Sequence, residues 1–89
     1  IRAGLAHQRL AGLADADGME LDISELPRTP SGRIQREAAD ELFARVRAEL
    51  EADPDNWQRW YRVARAYDYA GDRGRAREAM RRAVELERR

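Results

Sequence analysis

Apolar residues recur along this chain at helical spacings of three and four in four stretches. They alternate with polar residues in only one short stretch, so the pattern predicts helices with one extended interruption. Glu37 to Ala52 (EAADELFARVRAELEA) is the plainest: Ile34, Ala38, Leu42, Val46 and Leu50 recur every four residues, Ala39 and Phe43 widen the stripe, and charges fill the other face. Strong helix formers dominate this stretch, and Asp53-Pro54 ends it. From Trp57 to Leu86 two more helical runs meet at Ala70-Gly71-Asp72. Trp57, Trp60, Tyr61, Val63, Ala64 and Tyr67 gather on one broad stripe of the first run. Small Ala64, Ala76 and Ala83 allow close helix approach, with Trp60, Tyr67 and Met80 expected to fill the space between the two helices. Gly71 supplies a left-handed residue to end one helix and Asp72 a cap for the next, while Asp55 with Gln58 predicts a capping box near Asn56.

The N-terminal third is less regular. Ile1 to Ala14 places Leu5, Ala6, Leu10 and Leu13 on one side of a helix that Gly4 and Gly12 weaken, and Asp15 to Gly18 stops it. Met19, Leu21 and Ile23 then alternate with acidic residues, as a short extended piece laid over a core would. Leu26-Pro27 and Thr29-Pro30 force extended geometry, and Thr29 or Ser31 is expected to cap the following helix with Gly32 in its first turn. The expected fold is all-α, with about four helices in one small domain spanning 1–89. Residues 1–36 form a helix and an extended cover, and 37–89 form paired helices.

Composition narrows the chemistry. An 89-residue chain hides only about 60 to 65 per cent of its unfolded surface, so its core is small. There is no cysteine, and His7 is the lone histidine, which leaves no thiol chemistry and no metal constellation; neither metal nor cofactor is expected. No apolar run approaches the roughly 20 residues of a membrane span, which reads as a soluble, cytoplasmic protein. Every one of the 17 basic residues is Arg. Residues 1–53 hold 7 Arg against 11 acidic residues and 54–89 hold 10 against 6, an asymmetry suited to an acidic partner or to head-to-tail pairing of two copies. The Arg residues from Arg73 to Arg89 are interleaved with Glu78, Glu85 and Glu87 on a neutral chain, which disfavours nucleic acid as the partner.

The spacing of Trp60, Val63, Ala64, Tyr67, Gly71, Ala76, Met80 and Ala83 resembles one tetratricopeptide repeat, covering residues 57–89, with the preceding helix standing as half of another. About three such repeats are normally needed to bury a continuous core, so either the N-terminal segment folds back to complete this one or a second copy does. The resemblance implies a scaffold that binds protein segments through the outward positions of its first helix, here Gln58, Tyr61, Arg65, Asp68 and Tyr69, with Arg62 and Arg65 suited to a peptide carboxylate. A second, local resemblance covers residues 26–36. LPRTPSGRIQR looks like the C-terminal lysine motif of adenylate-forming enzymes, with Arg33 where the lysine would stand. The planar fork of Arg does not reproduce a compact ammonium, so adenylation is not expected; an anion held by Ser31, Gly32 and Arg33 is the functional alternative to the helix-cap reading of the same residues. The sequence thus predicts a non-enzymatic adaptor that binds a peptide or its own copy. A small anion- or nucleotide-binding protein is the alternative.

Overall fold

The computed structural model describes residues 2–89 except Asp22 and Glu25, and in residues 2–4 the backbone alone. The predicted helix start at Ile1 and the part of the alternation that falls on Asp22 lie outside the described residues. Four helices account for most of the rest: α1 (Arg2–Ala16), α2 (Arg36–Ala52), α3 (Trp57–Ala70) and α4 (Arg73–Glu87). The chain is all-α, and an isolated antiparallel bridge between Arg28 and Ile34 is the β pairing among the described residues.

Local chemistry sets the helix ends. Asn56, rather than Asp55, caps α3: its side chain accepts the Gln58 N–H at 2.9 Å. Gly71 ends α3 at a φ of 86°, with its N–H on Asp68 O at 3.1 Å and the Asp72 N–H on Tyr67 O at 2.9 Å. The Asp72 carboxylate then accepts the Arg75 N–H at 3.2 Å and starts α4. Open space surrounds the position where a Gly71 side chain would project, so substitution there acts through backbone strain alone. Gly71→Ala should destabilise the chain by about 1 to 2 kcal/mol, read as a melting temperature lower by roughly 4 to 8 °C per kcal/mol. Gly71→Asn should lose less, because Asn tolerates the left-handed region.

Helix α3 is central and packs along α4 on one side and α2 on the other. Ala64 and Ala83 are fully buried where α3 and α4 approach, and Leu42 and Val46 of α2 close the opposite side with Val63. Tyr67 also sets its ring 4.6 Å from Phe43 of α2. Trp60 is half-buried and donates its indole N–H to Pro54 O at 2.7 Å, which ties the start of α3 to the turn before it.

Helix α1 packs against α4. Its buried residues are Leu10 and Ala14, one turn apart, whereas Leu5 and Leu13 of the predicted stripe are 63 and 41 % exposed. A helix that meets the core along one narrow line buries one i, i+4 pair and leaves its flanks in water. Arg9 pairs with Glu87 beside that line. Among the described residues no helix is long and apolar enough to cross a membrane.

Candidate functional site

The six α3 residues that the sequence nominates lie together on the face of α3 met by the turn after α1. The chain's own segment from Asp17 to Leu21 is seated there. Met19 N–H returns to Ala14 O at 2.7 Å, and Leu21 buries itself in the core. Gln58 Nε2 donates to Asp17 Oδ2 at 2.5 Å, Tyr61 OH to Glu20 Oε2 at 2.5 Å, and Arg62 Nη1 to Met19 O at 2.8 Å. Arg62 is steadied from behind by Glu49 at 2.9 Å. Arg65 Nε lies 3.5 Å from Glu20 Oε1 without a hydrogen bond, and its Nη2 donates to Tyr69 OH at 3.0 Å. Asp68 Oδ2 is 3.5 Å from Arg65 Nη1.

Tyr61 is the largest fully buried side chain among the described residues. Burial first, then its hydrogen bond to Glu20 and the nearby negative charge, push its hydroxyl pKa well above 10.0. Burial penalises the Arg65 charge, but Tyr69, Tyr61 and Glu20 more than offset this and its pKa is raised. The partners of this face, Asp17, Met19 and Glu20, are what sequence reasoning missed. Their signal was the excess of acid in the N-terminal half beside the excess of Arg in the C-terminal half.

The Thr29 to Arg33 segment is a tight hairpin and not a helix cap. Gly32 N–H donates to Thr29 O at 2.9 Å, Thr29 N–H to Arg33 O at 2.7 Å, and Gly32 stands at a φ of 87°. These are the marks of a turn that closes on a left-handed glycine. That conformation has no place in a helix's first turn, and α2 starts only at Arg36 with no side-chain cap from Gln35. The Thr29 and Ser31 hydroxyls are 3.0 Å apart, and Thr29 Oγ1 accepts the Arg33 N–H at 3.3 Å. The hydroxyls and the Gly32 and Arg33 amides are therefore engaged within the turn, while the Arg33 side chain leaves it. Ile34 is buried behind the hairpin and holds it to the body.

Beside this hairpin lies a cleft of about 890 Å³. Arg28 and Arg33 stand on the hairpin wall, Arg36 and Asp40 on the first turns of α2, and Asp68 and Arg73 across from them at the α3–α4 turn. Arg33, Asp68 and Tyr69 of the nominated residues line it, whereas Ser31 and Gly32 do not. Arg28, Arg36, Asp40 and Arg73 join them from elements far apart in sequence, which left no local pattern to read. Among the described residues no three His, Cys, Asp or Glu side chains group to hold a metal ion. No family model matches the chain, and no curated protein or solved structure matches it.

Proposed function

We propose that this chain is a non-enzymatic interaction module whose α3 face takes an acidic protein segment, and that residues 17–21 fill that face in cis. The observation that carries this reading is the grip of Gln58, Tyr61, Arg62 and Arg65 on two carboxylates and one backbone carbonyl of that segment. Side-chain contacts to acidic groups together with a contact to the main chain let one helix face hold a peptide segment. The tetratricopeptide reading of residues 57–89 agrees with it, since that resemblance assigns peptide binding to the same helix face. The trans guest is an acidic segment of a partner, or the same segment of a second copy exchanged between chains. A reducing cytoplasm is the proposed setting, in keeping with a sequence free of cysteine.

A tethered segment competes strongly. Its effective concentration is on the order of millimolar, so an outside peptide making equal contacts gains the face only weakly while the tether is seated. A fluorescent peptide of residues 14–23 should therefore bind the wild-type chain poorly and an Asp17→Asn/Glu20→Gln variant at least tenfold more tightly by anisotropy. Circular dichroism must show both chains equally helical. No gain in the variant would sink the reading.

A further inference from the structure

We propose that the arginine cleft between the hairpin and the α3–α4 turn is a second docking site, for an acidic protein segment, with Arg33, Arg36 and Arg73 as its anchors. It does not depend on the α3 face opening. Four guanidiniums and two carboxylates line the cleft, and one of those carboxylates, Asp68, already pairs with Arg65. Several arginines elsewhere have acids of their own, Arg9 with Glu87, Arg47 with Glu51, Arg62 with Glu49 and Arg82 with Glu85, and those without one, such as Arg45 and Arg81, stand apart on exposed faces and not together in a cleft. Among the described residues Arg33, Arg36 and Arg73 have neither an ion pair nor a side-chain hydrogen bond, and Arg28 is fixed only by the neutral carbonyls of Gly32 and Ile23, both at 3.3 Å. The positive charge gathered here is left uncompensated, and an anionic guest relieves the mutual repulsion.

The dimensions and layout choose the guest. At about 890 Å³ the cleft is far larger than one oxyanion fills. Its cations are carried by three separate elements, the hairpin, α2 and α4, which suits carboxylates spaced along a chain better than charge concentrated on one group. The planar fork of each guanidinium matches a carboxylate in bidentate fashion. Asp40, without an ion pair or side-chain hydrogen bond of its own among the described residues, offers an acceptor for a guest's amide or hydroxyl. The same chain already shows arginines holding an acidic segment, at Arg62 and Arg65 against residues 19–20.

The test uses the full chain and a fluorescein-labelled hexaglutamate probe, read by anisotropy at low and at physiological salt. Binding should weaken at least tenfold in Arg33→Gln/Arg73→Gln and stay within twofold of wild type in Arg45→Gln/Arg81→Gln, which removes equal charge from exposed positions outside the cleft. Arg33→Lys/Arg73→Lys, which retains charge without the fork, should fall between the two. It also serves as the decisive variant should the glutamine pair melt early. Equal losses in both glutamine pairs would reduce the effect to net charge. Absence of binding at low salt, or inorganic pyrophosphate binding more tightly than hexaglutamate with the same dependence on Arg33 and Arg73, would overturn the assignment of an acidic segment as guest.

Discussion

Tyr61→Ala is expected to lower the stability of the folded chain by about 3 to 5 kcal/mol, the range for truncating a large aromatic side chain in a core. The residue is 2 % exposed, and its ring meets Trp57 edge-on at 6.3 Å while its hydroxyl reaches across to Glu20. Truncation removes the apolar contact that seats the Met19–Leu21 segment and leaves a cavity between α3 and that segment. A domain of 89 residues is stable by roughly 4 to 13 kcal/mol in total, so the loss takes a large share of it. Urea titration should show a midpoint displaced strongly downward, and in the lower part of that range the variant is substantially unfolded without denaturant. A loss under 1 kcal/mol would mean that the segment does not pack on α3.

Tyr61→Phe separates packing from polarity. It retains the ring, removes the donor to Glu20 and leaves that carboxylate 3.5 Å from Arg65, for an expected loss of about 1 kcal/mol at neutral pH. The difference reverses in alkali. Burial, then the Glu20 contact, hold the Tyr61 proton in the folded state well above 10.0, while the unfolded chain releases it near 10.0. The folded state then binds more protons than the unfolded one, and stability falls with rising pH by about 1.4 kcal/mol per unit. Stability from Tyr61 is thus complete below pH 10 and is lost as pH climbs toward the raised folded value. Tyr67 and Tyr69 are common to both chains and cancel in the comparison. The wild-type advantage over Tyr61→Phe should vanish within about one unit above pH 10, and parallel stability curves across that window would contradict the buried hydroxyl.

What the sequence made legible was local. The α2 stripe and the α3–α4 turn depend on spacing and on single capping residues, and Gly71 and Asp72 act where such residues act in any helix pair. The burial of α1 was not local. An amphipathic helix has more than one face that could pack, and the line actually chosen, Leu10 and Ala14 instead of Leu5 and Leu13, was set by how α1 meets α4. The hairpin at 28–34 failed for a related reason: Pro-Ser-Gly after Thr serves equally as a helix approach or as a turn. What decides is the left-handed Gly32 with Ile34 drawn into the core. Neither candidate site has a contiguous motif. Tyr61 and Glu20 are separated by 41 residues, and the cleft arginines come from three elements.

Two buried charges placed 36 positions apart should behave very differently, although Leu10 and Val46 are both 0 % exposed. An unpaired carboxylate in either position costs several kcal/mol if it stays buried. Val46 sits in the layer where α2 packs on α3, so Val46→Asp cannot escape to water without dismantling that layer. It should abolish the cooperative melt. Leu10 belongs to α1, whose attachment is a short contact with α4 supported by the Arg9–Glu87 pair. Its loss is therefore limited by the free energy of releasing α1, a local opening that leaves α2, α3 and α4 in place. Leu10→Asp should lose helical signal in proportion to the 15 residues of α1 while retaining a cooperative transition, with rapid amide exchange confined to α1 and the segment that follows. Release of α1 also loosens the anchor of residues 17–21, so this variant should bind the peptide of residues 14–23 more tightly than the wild type. Global unfolding by Leu10→Asp would show instead that α1 is integral to the core and that the α3 face cannot open without loss of the fold.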